Sequence, residues 1–134
     1  MIEQKDVTET LLYFSPEKAD SLIRALDPDQ RRFVKVLAQT IKDPQEIWQS
    51  ETPDTAGAGQ WRPMRTYLRF YNISDMDLGA SFAMPVVRFV LNSRWELHDM
   101  DVIIGDLQKV GPEIDKTIRV GDCAYATTWE PPKE

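Results

Sequence analysis

The chain has 134 residues, 42% of them hydrophobic and 28% charged, with 22 Asp and Glu against 16 Lys and Arg for a formal net charge of −6. That length supports one domain with its own core, and that balance excludes a wholly disordered or collagen-like chain. The longest apolar runs, such as Phe82–Val87, fall far short of the roughly 20 residues of a membrane-spanning helix, and the first residues have neither the basic nor the apolar region of a secretory signal, so a cytoplasmic location away from the membrane is expected. One cysteine, Cys123, and one histidine, His98, allow neither an internal disulfide nor the usual four-ligand zinc site, so no metal and no cofactor is expected. Charge is unevenly spread: residues 62–94 carry 5 Arg, no Lys and 2 Asp, a basic stretch inside an acidic chain. Arginine is the side chain best suited to forked contacts with phosphate oxygens.

Ser15-Pro16, with Glu17 and Asp20 behind it and Leu22, Ile23 and Leu26 on one side, predicts a helix over about Pro16–Ala25. Asp27-Pro28 repeats the start signal. Phe33, Leu37 and Ile41 then recur at intervals of four, predicting an amphipathic helix over about Pro28–Ile41 that Asp43-Pro44 closes. Residues 51–60 combine Thr, Pro, Gly and Ala without a core-forming side chain and predict a flexible loop able to act as a flap. After Pro63 the period changes to two. Met64, Thr66, Leu68 and Phe70 alternate with Arg65, Tyr67, Arg69 and Tyr71, predicting a strand with the second set on its outer face.

Phe82–Leu91 predicts a second strand, with Pro85 implying an edge position or a bulge. Asn92-Ser93 reads as a hairpin tip, and Trp95–Ile104 as the returning strand. Gly105–Asp115 reads as a connection with room for one helical turn, bounded by Gly111-Pro112, and Thr117–Trp129 as the last strand. The expected architecture is a single α+β domain over residues 1–134: N-terminal helices (a helical part over about 1–48) packed on a small, about four-stranded antiparallel sheet (about 64–129).

The stripe Arg65, Tyr67, Arg69, Tyr71 offers guanidinium groups for phosphates and phenol rings for unpaired bases, which suits single-stranded RNA. The plainer reading is an exposed strand face whose arginines pair with carboxylates of the acidic helices. His98 is the one side chain whose ordinary pKa lies near neutrality, a candidate general acid or base, or else a surface residue between Glu96 and Asp99. If Arg65 or Arg69 faces it, cleavage by a 2′-hydroxyl becomes reasonable, with arginine holding the developing charge. Thr127, Thr128 and Tyr125 could add hydroxyl contacts, and Arg88 and Tyr71 complete the candidate substrate-binding set. Glu46 and Trp48 read as a structural corner, and Cys123 as a buried small hydrophobe.

The stretch from Phe33 to Trp48, ending Asp43-Pro44-Gln45-Glu46-Ile47-Trp48, followed by a variable loop and Arg65-Thr66-Tyr67-Leu68, resembles phage-encoded nuclease-like domains of the barnase/EndoU/colicin/RelE-like superfamily. In those domains a D-P-x-E-[IV]-W element precedes a strand of R-x-Y-[IL] type, and Arg119, Gly121 and Tyr125 look like the closing R-x-G-x-x-x-Y strand. The resemblance implies a four-stranded antiparallel sheet under N-terminal helices and a metal-independent RNase activity, with Arg65, Tyr67 and Arg69 on the matching strand. His98 and Thr127 are candidates from their chemistry alone. It also implies RNA as a partner, and a place in the bacterial cytoplasm or the phage particle. The rival reading is a non-catalytic interaction module whose acidic helices dock on a basic partner, such as a phage structural protein or a cognate inhibitor.

Overall fold

The computed structural model describes residues 2–53, 61–75 and 80–127. Helix α1 (Pro16–Arg24) starts as the capping signals predict: the Ser15 hydroxyl accepts from the Lys18 N–H at 3.1 Å, Pro16 fills the first position and Glu17 faces the positive end of the dipole. The second predicted helix is instead two helices, α2 (Pro28–Arg31) and α3 (Val34–Lys42), with a break at Phe33 (φ −106°, ψ 15°). The cause is tertiary. Gln30 Nε2 donates to Asp101 Oδ1 at 2.8 Å and to the Val102 carbonyl at 3.0 Å, fixing the first turn to the sheet, while Leu37 and Ile41 of α3 are buried in the main core. Asp43-Pro44 ends α3 as expected.

The strands are β1 (Ile2–Lys5), β2 (Leu11–Phe14), β3 (Glu46–Pro53), β4 (Trp61–Leu68), β5 (Tyr71–Asp75), β6 (Ala80–Leu91), β7 (Trp95–Gly105) and β8 (Asp122–Ala126). They form one curled sheet in the order β1-β2-β7-β6-β4-β3-β8, with β5 also paired to β6. Every pairing is antiparallel except β2 with β7, which is parallel. The α+β class holds, but the sheet is larger than four strands. The part expected to be helical contains β1, β2 and the start of β3: Ile2–Lys5 is short and mostly exposed, so pairing rather than an apolar pattern makes it a strand. Glu51, Thr52 and Pro53, expected in the loop, extend β3 by pairing with Pro63, Arg62 and Trp61, and residues 54–60 lie outside the described ones.

Pro85 sits neither at an edge nor at a bulge. It pairs with Val102 on one side, and on the other its carbonyl accepts from the Arg69 N–H at 3.4 Å, where the neighbouring chain breaks between β4 and β5. The missing proline N–H therefore falls where β4 has ended and β5 has not begun, outside the regular ladder. The expected connection after Gly105 is helix α4 (Leu107–Thr117), with Gly111-Pro112 inside it. Pro112 costs one backbone bond, and the burial of Ile114 and Ile118 with half-buried Val110 against Leu68, Phe70, Phe82, Met84 and Val86 offsets it. Thr117, expected to open the last strand, closes α4; Thr128 and Trp129 lie outside the described residues.

The sheet is thus covered on both sides. Helices α1 to α3 bury one face around Tyr67, Val87, Phe89, Leu97 and Met100, and α4 buries part of the other. No described helix is long and apolar enough to cross a membrane.

Two glycines test this packing with opposite signs. Gly121 has φ +89°, and a Cβ there would overlap the Gln49 carbonyl oxygen, whereas a Cβ on Gly111 meets nothing within 4 Å. Gly121→Ala is expected to cost about 2 kcal/mol or more, and Gly111→Ala, inside a helix, to be neutral or to stabilise by about 0.5 to 1 kcal/mol, both read from urea unfolding midpoints.

Candidate functional site

Arg65 and Tyr67 are not on an outer face. Both are buried, at 7% and 0% exposure, on the sheet face that carries the N-terminal helices. The expectation of a solvent-facing stripe fails because α4 covers the opposite face, so both sides of β4 are interior. Their partner is Asp6, from the β1–β2 turn. Arg65 Nη2 donates to Asp6 Oδ2 at 3.1 Å and to the Thr8 hydroxyl at 3.0 Å, Nη1 to Gln49 Oε1 at 3.1 Å and Nε to the Tyr67 oxygen at 3.1 Å. The Tyr67 hydroxyl donates to the same Asp6 oxygen, and the guanidinium lies 5.8 Å from the Trp95 ring centre.

Burial alone would raise the Asp6 pKa, but hydrogen bonds from Tyr67, Thr8 and Thr10 outweigh it and hold the carboxyl below its ordinary value. Burial, reinforced by the Asp6 carboxylate, pushes the Tyr67 phenol up, so it stays a donor.

Arg69 lies four residues further along the chain, roughly 13 Å by strand rise. Its Nη1 donates to the Asp43 carbonyl at 2.8 Å and to Asp43 Oδ2 at 3.3 Å, while the Tyr71 hydroxyl donates to Gln39 Oε1 at 3.0 Å. Of the plainer reading of the stripe only the pairing with carboxylates forms: each arginine is held by an aspartate, but Arg65 is buried and its Asp6 comes from a turn, and only the Asp43 of Arg69 stands at the end of a helix, α3. They do not share an anionic pocket. Thr127 is exposed and donates its N–H to the Gln45 carbonyl at 2.9 Å. Tyr125 pairs with Ile47 and packs against the helix-side core. Cys123 is exposed, contrary to expectation, because β8 is an edge strand.

Two further residues of the predicted set, Arg88 and His98, lie at neighbouring positions of adjacent strands, β6 and β7. Register aligns Cys123, Trp48, Thr66, Arg88 and Asp99 as one row across five strands. Arg88 Nη1 donates to Asp99 Oδ2 at 3.2 Å, with side-chain exposures of 16% and 45%, so this pair is reachable from solvent where the Arg65 pair is not. The register shifts between Arg88 and Phe89, which face Asp99 and Leu97, leaving His98 as the extra residue of a β-bulge. His98 is exposed and has no hydrogen bond or ion pair among the described residues. A guanidinium, a carboxylate and a free imidazole thus occupy neighbouring positions on adjacent strands, the groups needed to hold a phosphate and move a proton.

The sequence carried a sign of this arrangement. Leu97 and Met100, both interior, are three residues apart, so the alternation of β7 skips a beat at His98 and Asp99. Counted straight back from the hairpin tip, Arg88 would face His98; the bulge gives it Asp99.

A second group of charged side chains, whose pairing the sequence does not show, joins Glu46 and Arg119. Arg119 Nε and Nη2 donate to Glu46 Oε1 and Oε2 at 2.8 and 2.6 Å, Nη1 donates to Asp115 at 3.2 Å, and Trp48 Nε1 donates to Glu46 Oε1 at 2.7 Å. The Glu46 hydrogen bond, against the opposing effect of burial, raises the Arg119 pKa and keeps it charged. Glu46 belongs to the Asp-Pro element and Arg119 to the approach to β8, so the corner expected at Glu46 and Trp48 is the place where α4 is pinned to the sheet.

A family model described as phage-Barnase-EndoU-ColicinE5/D-RelE like nuclease2 matches residues 5–100. That stretch contains Asp6, Arg65, Arg88 and His98 and stops before α4. No curated protein and no solved structure matches the chain.

The buried carboxylate makes stability depend on pH. Because the folded Asp6 pKa is depressed, its contribution is present above the unfolded value near 4 and is lost as pH falls through the folded value. Asp6→Asn is expected to cost about 2 kcal/mol at neutral pH, and the gap from wild type to shrink in acid, as read from denaturant midpoints across pH.

Proposed function

The chain belongs to the phage-Barnase-EndoU-ColicinE5/D-RelE like nuclease2 family, and from that premise we propose that it binds RNA and cleaves it at the β6–β7 bulge. The observation that carries this reading is the exposed His98 beside the accessible Arg88–Asp99 pair. In the proposed reaction Arg88 takes a phosphate oxygen in place of Asp99, and His98 accepts the 2′-hydroxyl proton. The 2′-oxygen bonds to phosphorus as the bond to the 5′-oxygen breaks. The 5′-oxygen takes a proton from a solvent water and leaves, and a 2′,3′-cyclic phosphate remains. These steps need the base, the cation and water, so the reaction is proposed as metal-independent.

Arg65, Arg69 and Thr127, candidates on chemistry and spacing, have no part in this scheme, since Arg65 is buried with Asp6, Arg69 is bound to Asp43 beside Pro85 and away from the bulge, and Thr127 belongs to the Gln45 corner. Tyr67, Tyr71 and Tyr125 likewise serve packing and hydrogen bonding.

A second reading, a non-catalytic module docking a basic partner such as a phage structural protein or an inhibitor, draws on the exposure of Glu17, Asp20 and Asp29 on α1 and α2. Incubation with total RNA in EDTA separates the two. Wild type and Arg69→Ala are expected to cleave alike, with His98→Ala and Arg88→Ala slower by about a hundredfold or more. Absence of cleavage by wild type, or equal cleavage by His98→Ala, rejects the mechanism, and RNA binding that ignores salt concentration favours the docking module.

A further inference from the structure

The β1–β2 hairpin is attached to the molecule in an unusual way. Of residues 2–9 only Asp6 is buried, so β1 and the turn enter the protein with a carboxylate, while β2 is anchored in the core by Leu12 and Phe14. β1 pairs with β2 alone, and β2 reaches the rest of the sheet through two residue pairs, Leu12 with Trp95 and Tyr13 with Glu96. The underside does not fill: an apolar space of about 140 Å³ remains, lined among others by Gln4, Phe14, Ile23, Leu37, Leu97 and Met100. The two oxygens of Asp6 have separate tasks. Oδ1 accepts from the Thr8 and Thr10 N–H groups at 2.8 and 2.9 Å and from the Thr8 hydroxyl at 2.7 Å, organising the turn itself, and only Oδ2 crosses to Arg65 and Tyr67. The turn therefore keeps its own hydrogen bonds if it lifts away.

What Oδ2 enters is a receptor for an oxyanion. Withdrawing Asp6 would free a guanidinium N–H on Arg65 and the Tyr67 hydroxyl, pointed at one place, steadied by Gln49 and bordered by Trp95. We propose that this receptor is a phosphate-binding site which the protein keeps occupied with its own Asp6, and that the hairpin must release Asp6 before an external phosphate group can bind. Tethered occupancy lowers the apparent affinity of an external ligand by the fraction of molecules in which the hairpin is lifted. The site lies on the helix-bearing face and is independent of cleavage at the bulge, so either can fail without the other.

The test is calorimetric titration of inorganic phosphate, with acetate as a second arm, into wild type, Asp6→Ala, Asp6→Glu and Asp6→Ala with Arg65→Gln. The expected result is at least tenfold tighter phosphate binding by Asp6→Ala than by wild type or Asp6→Glu, lost in the double variant. Equal binding by Asp6→Ala and wild type, binding that survives Arg65→Gln, or a preference for acetate overturns the proposal. Wild type supplies a second measurement that needs no variant to fold. Added phosphate, against a chloride control of equal ionic strength, should shift the Arg65 Nε–H resonance saturably and speed hydrogen exchange in residues 2–9. An unmoved resonance with unchanged exchange also overturns it.

Discussion

Strands β4 and β6 are packed on both faces, by α1 to α3 on one side and in part by α4 on the other, and any polar group placed there must find its partner inside the protein. The arrangement of charged side chains follows from this. Arg65 is tolerated at the centre because Asp6, Thr8, Gln49 and Tyr67 take up its donors. Gln45 joins three segments in the same way, donating its N–H to Leu68, accepting from the Phe70 N–H at its side chain and from the Thr127 N–H at its carbonyl. Breaking one partner of such a set leaves a desolvated charge behind, so these contacts fix geometry more than they add net stability.

The same constraint separates arginines by use. Arg65, Arg69 and Arg119 are committed to Asp6, Asp43 and Glu46. Arg88 is paired as well, with Asp99, but its partner stands next to His98 on β7 and is nearly half exposed, so a phosphate can compete for the guanidinium where an imidazole is at hand. A shared amino-acid type in a basic stretch therefore says little about shared function until the carboxylates are placed.

Local signals were readable where a local cause decides the structure. Ser15-Pro16, Asp43-Pro44 and the Asn92-Ser93 tip all mark boundaries that form. Illegible features depend on distant partners. The break at Phe33 comes from Gln30 reaching residues 101 and 102, and the helix around Pro112 from the apolar floor that Ile114 and Ile118 find. Alternation from Met64 to Tyr71 was real, but it separates two interiors and not an interior from solvent, a distinction that periodicity alone does not carry. Arg88 and His98 could be named from sequence, whereas Asp6 as the partner of Arg65 required knowing that an N-terminal turn folds back over β4.

The bulge in β7 also governs how that strand can vary. Ahead of it the inward residues are Trp95 and Leu97, at odd positions; behind it they are Met100, Val102 and Ile104, at even ones. His98 is the residue that absorbs the change of phase. Substituting it leaves the ladder intact, but losing the position would turn the later side chains of the strand to the other face, driving Asp99 toward the helices and Val102 toward the opposite side. The fold therefore constrains the length of the strand at this point, and leaves the identity of the residue there to the chemistry of the site.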